Sequence, residues 1–372
     1  MSEKVPEGWK RVKLGEVIVF NYGKSLPERK RVSGDIPVYS SAGITGWHNK
    51  ALANSKGIII GRKGTIGKVY KSKVPFFAID TCYYVLPNDD EYDFDFIYYL
   101  LFSLKLDELN EDSAVPGLNR NTAYAQEIPL PPLPEQKAIA SVLSSLDDKI
   151  DLLHRQNKTL EKMAETLFRQ WFIEEAKEDW EEKPLSFLGK IVCGKTPSKK
   201  KKEYFGGNIP FIKIPDMHGN TFIFETSDSL TEEGKKSQNN KTLPAKSICV
   251  SCIATVGLVS MTTKESQTNQ QINSIVPKKD YYRYYIFLFM KYLKSLLVAM
   301  ASGGTTTLNL NTGDFSKITI PLPEENILKI FHNLVEPLFD KILINQQQIR
   351  TLEKLRDTLL PKLMSGEVRV KI

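Results

Sequence analysis

From Ile139 onward, apolar residues recur in alternating steps of four and three: Ile139, Leu143, Leu146, Ile150, Leu153, then Asn157, Leu160, Ala164, Leu167 and Trp171. A later run has the same rhythm: Phe331, Val335, Leu338, Ile342, then Asn345, Ile349, Leu352, Arg356, Leu359 and Leu363. A 3.5-residue period kept over more than four heptads predicts a coiled-coil seam. Helices of about 40 residues extend roughly 60 Å at 1.5 Å per residue. Neither run has another obvious partner, so the two are expected to pair.

One amide interrupts each seam. With Ile150 at an a position, Leu153 is d and Asn157 is a, whereas Asn345 is d-like. Antiparallel helices set a against d, so Asn157 and Asn345 are expected to meet and fix the register. The plainer alternative leaves each amide in water.

The remaining sequence is rich in short apolar runs of β type, and it is written twice. GWKRVKLGEVIVFNYGKSLP at Gly8 is echoed by DWEEKPLSFLGKIVCGKTPS at Asp179. GRKGTIGKV at Gly61 aligns with SCIATVGLV at Ser251, LNRN at Leu118 with LNLN at Leu308, and IPLPPLPEQ at Ile128 with IPLPEEN at Ile320. Extra residues in the second copy fall between Ile209 and Cys249. Each copy has one apolar helical stretch, residues 94–109 or 284–301. A proline-rich break then stops the preceding strand, and a long helix begins near Glu135 or Glu324.

These readings define an α+β fold. Two similar strand-rich globular domains are separated by an antiparallel pair of long coiled-coil helices, with a pseudo-twofold internal repeat. The expected segments are a first head (1–133), a first helix (134–178), a second head (179–323) and a second helix with its tail (324–372). A pair related in this way is expected to hold the heads inverted at opposite ends, like a caliper.

GRKGTIGKV raises the question of a nucleotide site. A P-loop requires a Gly where Arg62 stands and a hydroxyl where Val69 stands. The second copy keeps neither the lysines nor most of the glycines, so the stretch is read as strand–turn–strand in both heads. Cys249 and Cys252 form a single CxxC without further ligands, and buried thiols are the expectation. His48, His154, His218 and His332 lack metal-like spacing, and no catalytic or metal set emerges. The N-terminus MSEKVPEGWK has no apolar signal core, Lys291 and Lys294 interrupt the most apolar run, and four cysteines make no disulfide framework. A cytoplasmic location is the expectation.

Hydrophobic content of 41% and charged content of 26% are those of an ordinary globular protein, and the net charge of +7 favours a polyanionic partner without requiring one. Head 1 offers Lys24, Arg29, Lys30, Arg31, Ser41, Arg62, Lys63, Lys68, Asn119, Arg120 and Asn121. Head 2 offers Lys195, Lys199, Lys200, Lys201, Lys213, Thr255, Gln270, Asn309 and Asn311. Lysine and arginine neutralise phosphates, and Arg, Asn and Gln can make bidentate contacts with base edges. A solvated surface is the bland reading of any one of them, but repeat-equivalent loops offer them in both heads. Arg62-Lys63 against Ser251 and Thr255 is the contrast expected of sites that read different bases.

The doubled head-plus-helix layout, the run IPLPPLPEQKAIASVLSSLDDKIDLL, and the helix ends LEKMAETLFRQWF and LEKLRDTLLPKLMSGEVRV resemble the specificity (S) subunits of type I restriction–modification systems. The second copy departs at Glu325-Asn326, aligned with Glu135-Gln136. The resemblance implies a non-catalytic, sequence-specific DNA-binding subunit with two target recognition domains, each reading half of a bipartite, asymmetric duplex target. It implies docking to methyltransferase (M) subunits, two being expected, and to restriction (R) subunits. S-adenosylmethionine, ATP and magnesium would belong to those partners. Exposed faces and apolar ends of the long helices (Leu167, Phe168, Trp171, Phe172; Leu359, Leu360, Leu363) are the candidate docking contacts, with packing against the heads as the alternative. The rival readings are a DNA-modifying or nucleotide-dependent enzyme with an unrecognised site and a protein-only coiled-coil scaffold.

Overall fold

The computed structural model describes residues 5–88, 90–109, 117–302 and 308–371. It divides into two compact units, Met1–Ile150 with Thr351–Ile372, and Asp151–Arg350. Each holds one head and parts of both long helices, Leu133–Arg169 and Glu325–Ser365.

Head 1 contains β1 (Lys10–Lys13), β2 (Asn21–Tyr22), β3 (Ile36–Ser40), β4 (Gly43–His48), β5 (Gly57–Gly61), β6 (Val69–Ser72), β7 (Phe77–Ala78), β8 (Cys82–Val85) and β9 (Glu127–Leu130). They form a four-stranded sheet, β2-β8-β5-β6, a three-stranded sheet, β4-β3-β7, and a ribbon, β1-β9. Head 2 contains β10 (Glu181–Pro184), β11 (Gly189–Cys193), β12 (Phe205–Ile212), β13 (Phe222–Ile223), β14 (Asp228–Leu230), β15 (Ile248–Ser251), β16 (Val259–Thr262), β17 (Gln267–Thr268), β18 (Ile272–Pro277) and β19 (Thr319–Leu322). Its sheets, β11-β18-β15-β16-β13, β14-β12-β17 and β10-β19, repeat the plan with one strand more. The added strand, β13, lies in the second-copy insertion and pairs with β16. The insertion also reaches the long helices of its unit: Thr221 Oγ1 donates to Glu161 at 2.5 Å, and the Phe222 N–H to Gln346 at 3.1 Å.

The central strands β5 and β15 are continuous apolar runs because both faces are covered. Ile58 and Ile60 join the large core with Tyr83, Phe96 and Leu100, while Ile59 packs with Phe76 and Cys82. In head 2, Val250 and Cys252 face one core and Cys249 the other. The two thiols of the CxxC thus serve opposite faces of the sheet, as an odd spacing in a strand requires. Burial pushes Cys249 up to about 12 and Cys252 to about 11, the behaviour of inert core thiols.

Several expectations are revised. Residues 94–109 form an α-helix only over Phe94–Ser103, followed by a 3-10 turn, Leu106–Leu109. Residues 284–301 form two helices, Arg283–Tyr292 and Lys294–Ala301, bent by 61°. No single helix among the described residues is long and apolar enough to cross a membrane. The strands end within the proline-rich breaks, at Leu130 and Leu322 just before Pro131 and Pro323, but the first proline of each break, Pro129 or Pro321, still lies within β9 or β19, opposite Arg11 and Glu182. Every strand of a two-stranded ribbon has a free edge, where a missing N–H is tolerated. The proposed docking ends are spent internally. Phe168 and Phe172 pack on Tyr285 and Phe331, and Leu360 and Leu363 fill the core of head 1. Leu167, Trp171 and Leu359 pack partly buried against the same cores. Phe339 and Leu360, rather than their neighbours Leu338 and Leu359, are fully buried, because a 3.6-residue helix drifts against a 3.5-residue pattern.

The helix segments run antiparallel within each unit. In one, Asn157 meets Asn345 while Trp171 meets Phe331. In the other, Asp147 meets Arg356 while Glu135 reaches Arg369 beyond the helix end. Asn345 Nδ2 donates to Asn157 Oδ1 at 2.9 Å, with both residues buried. The Arg356 charge is met by Asp147, which also accepts from Tyr99 at 2.6 Å.

Each helix entry carries the same lock. Trp9 Nε1 donates to Glu135 at 2.9 Å, and Arg369 donates to both carboxylate oxygens at 2.7 Å. Trp180 Nε1 donates to Glu324 at 3.0 Å, and Lys177 at 2.6 Å. Glu324 is therefore the counterpart of Glu135. This shifts the sequence alignment by one: Glu325, not Asn326, matches Gln136, whose Oε1 accepts from the Asp93 N–H.

Two outcomes are expected. Asn345→Leu strands the buried Asn157 amide and should cost about 1–3 kcal/mol, read by denaturant melting, whereas the double change to Leu should recover most of that loss. The Arg369 guanidinium and the Trp9 N–H hold the Glu135 carboxyl below its ordinary 4.5. A depressed carboxyl stabilises the fold above its unfolded value and loses that contribution as pH falls through the folded one. Arg369→Ala should lower the melting temperature by a few degrees at pH 7, with the gap to wild type closing as pH drops below 4.5.

Candidate nucleic-acid interface

The turn after β5 carries Arg62, Lys63 and Lys68. Gly64 has φ +79° and Gly67 φ +69°, and their counterparts Ala254 and Gly257 have φ +63° and +86°. Gly64 and Gly67 thus belong to a left-handed turn common to both heads, a conformation that glycine adopts freely and Ala254 only at a steric cost.

A second loop docks on this turn. In head 1, Lys63 bridges to Gly117 and the Leu118 N–H donates to Arg62 O at 2.9 Å. In head 2, Ile253 bridges to Asn309 and the Leu310 N–H donates to Cys252 O at 2.8 Å. Leu118 therefore corresponds to Leu310, two residues beyond the match of LNRN with LNLN, and Asn119 corresponds to Asn311. Both asparagines cap short helices: Asn119 accepts from the Asn121 N–H at 2.8 Å, and Asn311 from the Asp314 N–H at 2.9 Å. Asn311 also donates to Asp314 at 2.6 Å, so its amide is engaged at both ends.

In head 1 the turn and loop enclose a recess of about 390 Å³ lined by Tyr22, Arg62, Lys63, Tyr83 and residues 117–121. Arg62, Lys63, Asn119, Arg120 and Asn121 are thus brought together. The Arg62 guanidinium lies 5.0 Å from the Tyr22 ring centroid and 5.6 Å from that of Tyr83, and Arg120 lies 5.1 Å from Tyr22. Such stacking contributes about 0.5–1 kcal/mol at a partly exposed site. Burial raises the Tyr83 hydroxyl pKa, and this hydroxyl donates to Leu118 O at 3.1 Å. Tyr22 and Tyr83 were missed in the sequence, where tyrosines in short strands read as ordinary β residues.

Head 2 fills the same place with neutral groups. Strand pairing sets Tyr22 opposite Tyr83 in head 1 and Cys193 opposite Asn273 in head 2. Cys252 stands for Arg62, and Thr312, the residue after the cap, stands for Arg120. The Arg62 counterpart is therefore Cys252 rather than Ser251. Thr312 Oγ1 donates to Asn273 at 2.8 Å, and Cys252 is buried.

The other sequence candidates lie elsewhere. Ser41 is buried beneath the turn, its N–H donating to Thr81, while Lys68 is exposed at the turn's end. Lys24, Arg29 and Lys30 are exposed on the β2–β3 connection, and Arg31 is tied to Thr45 O at 2.6 Å. In head 2, Lys195, Lys199, Lys200 and Lys201 form an exposed basic loop, with Lys201 donating to Tyr204 at 3.0 Å. Lys213 is neutralised by Asp228. Thr255 and Asn309 are exposed on the turn and loop, and Gln270 accepts from Thr196 at 2.7 Å. One cluster had no signature in the sequence: ligand atoms of Asp280, His332 and Glu336 lie within 4.8 Å of one another. Arg283 pairs with both carboxylates, making the cluster an ion-pair network.

Two related strand-rich heads thus present equivalent turn-and-loop sites of different chemistry, the layout of a doubled binding protein. The type I restriction modification DNA specificity domain matches twice, at residues 6–162 and 177–354. The chain belongs to that family, and its part is sequence specificity rather than catalysis. It is 36% identical to the type I restriction enzyme HindI specificity subunit of Haemophilus influenzae, over 78% of this chain and 81% of that one. It is 31% identical to the MjaIX specificity subunit of Methanocaldococcus jannaschii, over 99% and 95%. The crystal structure of an S subunit from M. genitalium has the same fold, with a TM-score of 0.66 at 18% identity over 97% and 98% of the two chains.

Asn119→Ala and Asn311→Ala should each cost roughly 1 kcal/mol in thermal melting, the usual loss of a helix cap.

Proposed function

We propose that this chain directs a type I restriction–modification complex to a bipartite, asymmetric duplex DNA target, with each head reading one half-site. The observation supporting this is the pair of equivalent sites: the same turn, docked loop and helix cap carry Arg62, Tyr22, Tyr83 and Arg120 in one head, and Cys252, Cys193, Asn273 and Thr312 in the other. A scaffold that keeps its backbone while exchanging its side chains suits two readings of one kind of ligand. The lysines of the turn and of the 199–201 loop supply phosphate contacts. Methyltransferase subunits, two in the assembled complex, and restriction subunits dock on the chain in the cytoplasm. They bring S-adenosylmethionine, ATP and magnesium, and the target adenine leaves the stack for the methyltransferase pocket.

The test is co-expression with the methyltransferase subunit in a methylation-deficient host, followed by mapping of methylated adenines across the genome. Exchanging residues 179–323 for those of another family member should change one half of the consensus and preserve the other. Methylation that does not depend on the chain, or a swap that alters both halves, would refute separate readout.

A further inference from the structure

The geometry points to Arg62 as the residue that reads a guanine in the half-site of head 1, with its guanidinium held ready by Tyr22 and Tyr83. This rests on the reading of head 1 as a DNA-recognition domain. Guanine presents N7 and O6 side by side in the major groove, and an arginine meets both with two parallel N–H donors. That contact requires a guanidinium whose plane is fixed and whose edge is free. Arg62 lies against two aromatic rings, 5.0 Å and 5.6 Å from their centroids, and Nη1 rests on Asp80 O at 3.3 Å. The two rings and the Asp80 carbonyl restrain the guanidinium, and its remaining N–H groups are available to a ligand. Among the described residues no carboxylate pairs with Arg62 or with Arg120, which lies 5.1 Å from the same Tyr22 ring. Two unneutralised guanidiniums sharing one ring repel each other, and an electron-rich ligand edge relieves that repulsion.

Two observations favour a base over a phosphate. The first is that four side chains change together: Tyr22, Arg62, Tyr83 and Arg120 of head 1 give way in head 2 to Cys193, buried Cys252, Asn273 and Thr312, the last two hydrogen-bonded to each other. Phosphate contacts carry no sequence information, whereas a set that reads bases must differ where the half-sites differ. The second observation is that Lys63 and Lys68 stand exposed on the same turn. These point charges suit phosphate, leaving the rigid fork of Arg62 for a partner with two acceptors in one plane.

The experiment uses the chain co-expressed with its methyltransferase subunit and reads the methylated consensus for wild type, Arg62→Gln and Tyr22→Leu. Support requires an invariant G·C pair in one half-site of the wild-type consensus. Arg62→Gln should relax that pair, with a roughly 10- to 100-fold loss of discrimination and the other half unchanged. Tyr22→Leu should relax the same pair more weakly. Melting curves establish which variants fold, and Tyr22→Leu reads the same position if Arg62→Gln does not. A uniform loss of methylation with an unchanged consensus marks a phosphate contact and overturns the proposal, as does relaxation at an A·T pair. If exchange of the whole first head alters neither half-site, the recognition reading itself fails, and that outcome is distinct from the failure of Arg62 alone.

Discussion

Two buried amides meeting at 2.9 Å, Asn345 on Asn157, set the register on which the second unit depends. A seam of leucine, isoleucine and phenylalanine gains nearly as much by sliding one turn as by staying in place, because apolar contact has no direction. An amide displaced into that seam would lose its partner and remain desolvated, which penalises the slipped arrangements. With the register held, Phe172 packs on Phe331 at 4.7 Å and on Tyr285 at 4.8 Å, and the helices become part of the core of the head.

The same economy appears where each helix begins. Glu135 and Glu324 each hold an indole N–H and a cation. In the first unit the cation is Arg369, after the second helix, and in the second unit it is Lys177, after the first. The residue following one helix thus secures the entry of the other. Glu135 is buried and would be costly without these donors, so the tail belongs to the fold rather than trailing from it, while the exposed Glu324 ties down the 174–180 segment through the same kinds of bond.

The equivalence of the heads is strictest in the backbone and weakest at the recess. Left-handed turn residues, the docked loop and the asparagine cap coincide, since each satisfies backbone groups that must be satisfied in any such fold. Among the side chains facing the recess, Tyr83 and its counterpart Asn273 keep one such duty, donating to Leu118 O and Leu310 O, whereas Arg62 and Arg120 give way to Cys252 and Thr312. Cations on aromatic rings occupy it in one head, and a neutral hydrogen-bonded plug in the other. Recognition chemistry is free to vary where the scaffold leaves side chains without structural duty.

The sequence by itself determined the doubling, the strand-rich heads and the two long seams, because periodicity and repetition are local properties that survive without coordinates. It also marked Arg62, Lys63, Asn119, Arg120 and Asn121 as surface groups of interest. Only tertiary structure decided that Arg62 and Arg120 share Tyr22, that Asn119 and Asn311 cap helices, and that Lys213 is neutralised by Asp228. The two-residue slip between Leu308 and Leu310 was equally invisible, since LNLN offers two matches and only the hydrogen bond to Cys252 selects one. Such partners are far apart in the chain, and the sheet that joins them is set by long-range strand pairing, which no short window of sequence contains.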